Sequence, residues 1–237
     1  MRNRLVVAVA ACIAVVVLAG GGAYVYFFSG LRSSPSPLSL STPSASASAA
    51  PVGSLAGNWT VTTGSIAGYR VKELFVGETS KHEAVAQTAT VSGSLTVSGD
   101  SSGYQVTAIT FTAGLTGLHS VDSVAGRNVV QRDSYVSRQM NLQQFPNATF
   151  TASSGSVPAT DGSGPVDVSA AGKLTIHGVT KDVTATARAQ LNGGKIEIVG
   201  SMSIDMTDYG VSPPSVPFTT VDSQVTIEFQ LFLTKSA

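Results

Sequence analysis

From residue 59 almost to its C-terminus the chain alternates apolar and polar positions with a period of two, the pattern of strands that bury one face. "WTVTT" at 59–63 and "GYRVKEL" at 68–74 open the series, and "ATVSGSLTVSG" at 89–99 sets Val91, Leu95 and Val97 on one side against serines and threonines. "YQVTAITFTAG" at 104–114, which carries Val106, continues it, and "NATFTAS" at 147–153 adds a short strand with Phe150. Strand 168–177 points Leu174 and Ile176 one way, and strand 183–191 does the same with Val183, Ala185, Ala187, Ala189 and Leu191. Strand 195–206 offers Ile198, Met202 and Ile204, while 221–233 sets Ile227, Phe229 and Leu231 against Thr226, Glu228 and Gln230. "NGG" at 192–194 joins two of these as a tight hairpin.

About eight antiparallel strands with almost no helix make an all-β fold, either a sandwich or a closed barrel. Periodicity does not choose between them. The alanines of one hairpin arm leave space that is either compensated by larger residues opposite or left as a cavity. One stretch, 126–150, lacks the period of two; a short helix is expected near 130–142, ended before "FPN" because the residue preceding Pro146 avoids the helical region.

The N-terminal part has a different pattern. Leu5 to Phe28 is a run of 24 residues without a charge, and at 1.5 Å per residue it can cross a hydrocarbon layer about 30 Å thick. With Arg2 and Arg4 before it, residues 1–4 are expected in the cytoplasm, 5–28 as a single-pass anchor in the cytoplasmic membrane, and the remainder outside. Two other readings stand beside this one: a cleaved secretory signal with the small residues "LAGGGA" at 18–23, which would leave a secreted protein, and a lipoprotein signal, "VAAC", ending in Cys12. Residues 29–54 are Ser, Pro and Ala without periodicity, expected to form a disordered tether that holds a 55–237 domain off the membrane.

Charge and chemistry narrow the function. From Leu55 onward 11 Lys and Arg stand against 14 Asp and Glu, a side-chain balance of −3 with no basic run, which argues against nucleic acid and against recruitment by anionic head groups. Cys12 is the sole cysteine, so the domain has no internal disulfide, thiolate nucleophile or cysteine-ligated metal. His82, His119 and His177 lie in separate stretches, no Gly-x-Ser-x-Gly elbow occurs, and Asp133 with Arg132 or Arg138 reads as a local ion pair or helix start. No catalytic residue, no metal and no required cofactor is expected, and the protein reads as a binder and not an enzyme.

Three segments, in this order and separation, carry a family likeness: "RDSYVSRQMNLQQFPNATF" at 132–150, "GKLTIHGVTKDV" at 172–183 and "DYGV" at 208–211. Over about residues 55–234 the chain resembles the YceI-like family of polyisoprenoid-binding proteins. The resemblance implies an extended, lipocalin-like antiparallel barrel with a helix beside the strands and an elongated apolar tunnel for the tail of a polyprenyl or quinone-like lipid.

On that reading Val91, Leu95, Val106, Phe150, Leu174 and Ile176 face the lipid, together with Ala185, Ala187, Ala189, Ile198, Met202 and Ile204. Ile227, Phe229 and Leu231 complete the interior, and Tyr135 and Tyr209 form its mouth or lip. The chain departs from the family at Glu73, near the position of a usual histidine, and in a longer excursion at 75–87. Within "KLTIHGVTKDV", His177 is expected to face away from the interior, Gly178 to permit a bend, Thr180 and Lys181 to form the turn, and Asp182 to accept backbone hydrogen bonds. The function implied is binding, storage or transport of a long isoprenoid-type lipid outside the cytoplasmic membrane. The alternative is a membrane-tethered structural or adhesive domain that binds a protein or glycan through exposed Tyr69, Tyr104, Tyr135 or Phe75.

Overall fold

Residues 14–22, 32–42, 55–100, 103–124, 127–158 and 164–236 are described by the computed structural model. Most of the 5–28 run lies outside the described residues; 14–22 of it is helical, and among the described residues no helix is long and apolar enough to cross a membrane.

The alternating segments become β2 (Gly57–Val61), β3 (Ile66–Phe75), β5 (Val91–Asp100), β6 (Gly103–Gly114) and β9 (Asn147–Gly155). In the second half they become β10 (Val166–Ile176), β11 (Val179–Asn192), β12 (Lys195–Asp205) and β14 (Thr219–Lys235). Shorter pieces are β1 (Arg32–Ser33), β4 (His82–Thr88), β7 (His119–Ser120), β8 (Ser123–Val124) and β13 (Ser215–Val216), and α1 covers Val130–Gln139. The helix thus stops short of the expected 142; the chain continues as a turn in which Leu142 is buried.

Hydrogen-bonded neighbours run β12-β11-β10-β9-β6-β5-β2-β14, and β14 pairs back to β12 from Gln224↔Asp205 to Leu233↔Ile196, which closes an eight-stranded antiparallel barrel. Closure settles the choice between sandwich and barrel. The other edge of β14 is shared. Its Leu233–Lys235 end pairs with β2, and its Thr219–Gln230 stretch pairs with β3, which carries β4 and then β7. One end of the barrel, around the β5–β6 and β11–β12 hairpins, is therefore closed by continuous strands. At the other end the wall splays and α1 lies across it, tied to β7 by the Asp133 carboxylate, which accepts from the Ser120 N–H. These are called the hairpin end and the helix end below.

Three expectations are corrected. The "HEAVAQT" part of the 75–87 excursion is strand β4; Ala84, Val85 and Ala86 are at most 1% exposed, so it is buried on both faces and shows no alternation. In "KLTIHGVTKDV" the turn is His177–Gly178, since Ile176 pairs with Val179 and Thr175 with Thr180. Both turn residues take positive φ, 51° and 75°, and a Cβ on Gly178 would stand 2.7 Å from the Phe145 ring. Thr180 and Lys181 lie in β11, and Asp182 meets Lys173 across the strands at 2.8 Å.

The third correction concerns the tether. Residues 32–42 are not a free linker but a strap laid over the outside of the barrel. β1 pairs with β8; the Pro35 and Ser36 carbonyls accept from Arg70; and the Ser41 N–H and hydroxyl donate to Glu197. Beneath it Arg70 is 2.7 Å from Glu228, both almost fully buried although they sit on the outward face of the sheet.

Arg70→Ala leaves the Glu228 carboxylate buried without its cation and removes the donor from two strap carbonyls. It should cost about 3–5 kcal/mol in urea unfolding. Lys173→Ala, which breaks an exposed pair, should cost under about 1 kcal/mol, and equal losses would contradict the strap's role.

Candidate functional site

The inward faces of the strands enclose two cavities rather than a filled core. One of about 810 Å³ lies at the helix end and one of about 220 Å³ toward the hairpin end. Both are lined by Ala67, Ala113, Ala148, Leu174 and Ile227, a waist at which three of five side chains are single methyl groups.

The hollow has a local cause. Across the strands Phe111 sits opposite Gly93 and Phe229 opposite Gly200, and Phe150 lies beside Gly172. A Cβ on any of these three glycines would lie 2.7–2.8 Å from the neighbouring ring. Each ring therefore folds down onto a bare stretch of wall instead of reaching across the lumen. Alanines 185, 187 and 189 add little volume from β11, so the centre stays open.

Val91, Leu95, Val106, Phe150, Ala185, Ala187 and Ala189 all line the hairpin-end cavity, as do Ile198, Met202, Phe229 and Leu231. Leu174 and Ile227 stand at the waist, while Ile176, Ile204, Tyr135 and Tyr209 line the helix-end cavity. The aromatic residues expected on the surface are also inside: Tyr69, Phe75 and Tyr135 line the helix-end cavity and Tyr104 the hairpin-end one. No exposed aromatic patch is formed by them. His177 bonds through Nδ1 to the Tyr209 carbonyl at 3.2 Å and meets Phe145 edge-on, so the hairpin turn props the loop that carries Tyr209. The Tyr209 hydroxyl itself is buried without a hydrogen-bond partner.

The period-two reading missed a charged cluster at the helix end. Glu73 falls on the inward face of β3 after Tyr69 and Val71, directly opposite His82 of β4. Arg132, from the first turn of α1, donates to Glu73 Oε1 at 2.6 Å and to Asp122 Oδ1 at 2.7 Å. His82 Nε2 stands 2.7 Å from Asp122 Oδ2, and the Val85 N–H donates to Oδ1. Arg132 thus pairs with Asp122 and Glu73, not with Asp133. Parity along β3 was the available signal for Glu73; its partner Arg132 lies 59 residues away and no local pattern announces it.

Burial alone would raise the Asp122 pKa, but hydrogen bonds from His82 and Arg132 outweigh it and bring it to about 2. Glu73 moves the other way: burial raises it, and the Arg132 charge offsets only part. Burial also pushes the Tyr69 and Tyr209 phenols up. Glu73, His82 and Asp122 offer ligand atoms within 4.8 Å of one another, a spacing suited to a metal ion. The Arg132 guanidinium already bridges the two carboxylates, however, and supplies the positive charge that an ion would bring. The cluster's members satisfy one another, and among the described residues no hydroxyl or thiol nucleophile is hydrogen-bonded to His82.

Comparison with known proteins finds a matching family and several similar solved structures. The family description "YceI-like domain" matches residues 59–233. Among solved structures, Burkholderia cenocepacia BcnA is similar at 19% identity, with 69% of this chain and 95% of that one covered and a TM-score of 0.46. A polyisoprenoid binding domain from Saccharophagus degradans, described as implicated in plant cell wall breakdown, is similar at 16% identity, over 76% of this chain and 99% of that one, with a TM-score of 0.49. The Campylobacter jejuni YCEI protein gives 16% identity, 69% and 94% coverage, and 0.42. No curated protein matches the chain.

The depressed Asp122 carboxyl stabilises the fold above its unfolded pKa, and this contribution is lost as pH falls through the folded value. Between about pH 4 and 2 the protein should lose about 2 kcal/mol on this account. Asp122→Asn should be less stable than wild type at neutral pH yet show a correspondingly flatter acid limb in denaturant titrations at stepped pH.

Proposed function

The chain belongs to the YceI-like family, and from this premise we propose that its barrel binds a long apolar lipid of isoprenoid type, held outside the cytoplasmic membrane by an anchor at residues 5–28. The observation that carries this reading is the shape and chemistry of the interior. Two cavities meet at an alanine waist, among the described residues the inner one has no Asp, Glu, Lys, Arg or His in its wall, and the charged side chains gather at the helix end. An extended tail with a polar head fits that gradient. Each CH₂ it buries contributes about 0.8 kcal/mol before the costs of binding, so a tail of many carbons needs no polar contact to be held.

The head is assigned to the helix end, where the unpartnered Tyr209 hydroxyl and the Glu73–Arg132 pair line the wall. Binding and carriage, not catalysis, is the activity proposed, because the dense group of ionisable residues at the helix end, Glu73, His82, Asp122 and Arg132, is consumed in mutual hydrogen bonds. Storage and transport are both compatible with it, and a polyprenyl or quinone-like molecule is the expected cargo.

Protein purified from its own membranes and extracted for mass spectrometry should release such a lipid. Repeated recovery of empty protein that also refuses polyprenyl and quinone lipids in solution would refute the reading.

Ala148→Phe tests the path between the cavities. Filling the waist should weaken binding of long tails at least about tenfold while leaving short-tailed analogues, which need only the helix-end cavity, near wild type. If the waist were instead a packed core, the substitution would cost about 1–3 kcal/mol of stability without discriminating between tail lengths.

A further inference from the structure

Outside the helix at 14–22, the large apolar side chains that stand exposed among the described residues are Val76 at 66%, Val130 at 63% and Phe218 at 57%. They are not scattered. The Val76 N–H bonds to the Phe218 carbonyl at 3.0 Å, and Phe218 lines the helix-end cavity. Val130 opens α1 just beyond Arg127, whose guanidinium lies 4.6 Å from the ring centre of Phe75, the residue before Val76. All three therefore sit on the rim of one mouth, with the exposed Arg127 among them.

The strap brings the N-terminal run to the same rim. Arg32 pairs with Val124, three residues before Arg127. Only residues 29–31 separate Phe28, the end of the apolar run, from Arg32. At no more than about 3.6 Å per residue, Phe28 and Arg32 are within about 14 Å of each other. Arg70 and Glu197 hold the rest of the strap against the barrel, so residues 32–42 are not free to let the domain wander.

We propose that the helix end of the barrel docks on the bilayer that holds residues 5–28, with Val76, Val130 and Phe218 immersed at the boundary between head groups and acyl chains. The cavity then opens onto the membrane, and a lipid enters or leaves without crossing water. An apolar rim flanked by an arginine is the chemistry of such a boundary, where side chains sit about 5–10 Å deep. This inference rests on the anchor reading above.

The test uses the full chain in phosphatidylcholine vesicles, with an environment-sensitive fluorophore on one cysteine at a time and lipids carrying a quencher high on the acyl chain. Native Cys12 reports on the anchor; Phe218→Cys, Val130→Cys and, at the hairpin end, Gly193→Cys are made in a Cys12→Ser background. Labels at 218 and 130 should shift to the blue and lose about half their emission to the quencher lipid, as expected at interfacial depth, while the label at 193 loses none. Quenching at Cys12 without quenching at 218 and 130 overturns the docking and leaves the anchor standing. Absence of quenching at all positions overturns both. A loss that follows protein density instead of quencher lipid identifies a second copy as the occupant and also overturns the proposal. The readout needs no bound cargo, so lipid binding could fail without affecting it.

Discussion

The pairing of β14 with β12 is the interaction on which the rest of this structure depends. Ten consecutive residues of each strand are matched, and that ladder turns an open sheet into a closed wall with one lumen. Closure commits every inward side chain to the same interior. Because β14 is 17 residues long, it outlasts a single neighbour on its other edge and takes β2 at one end and β3 at the other. The asymmetry of the cavities follows. Where β2 completes the ring the space is about 220 Å³, and where β3 carries the wall outward to β4 and β7 it is about 810 Å³.

The outer surface inverts the usual order of polarity. Arg70, Glu228 and Glu197 point away from the lumen yet are buried, because residues 32–42 lie over them. Burial would raise the Glu197 carboxyl, but hydrogen bonds from Gln190, the Ser41 N–H and hydroxyl, and Gln230 outweigh this and lower it. A Ser- and Pro-rich segment with no apolar periodicity is thus ordered by carbonyls, amides and hydroxyls meeting buried charges. It also fixes where the chain reaches the barrel, beside the wide mouth.

Inside, the same physics separates two environments. The hairpin-end cavity holds aromatic rings folded onto glycines and a file of alanines, and among the described residues its wall carries no charged side chain. At the helix end Arg132 draws Glu73 and Asp122 together, and the pKa of the first is raised while that of the second is lowered. The difference reflects the number of donors each carboxylate receives: Asp122 has three partners, Glu73 one.

By itself the sequence determined the strands whose two faces differ. In β5, β6, β10 and β11 most of one face meets the lumen and most of the other water, and β12 and β14 keep the same alternation although the strap covers Glu197 and Glu228, so alternation names the inward residues from Val91 to Leu231 without coordinates. The three segments resembling the YceI-like family supplied the barrel, which periodicity left open. Only the tertiary structure decided what depends on both faces being covered or on residues far apart. β4 was invisible because Val85 is buried on the outside as Ala84 and Ala86 are within. The strap was invisible because its partners, Arg70, Gln190 and Glu197, are 34 to 156 residues away. The Glu73–Arg132–Asp122–His82 cluster was likewise assembled from β3, β4, the segment between β7 and β8, and α1. Local pattern records the solvent boundary of each strand; which distant charges meet, and how much space remains between the walls, is set only when the sheet closes.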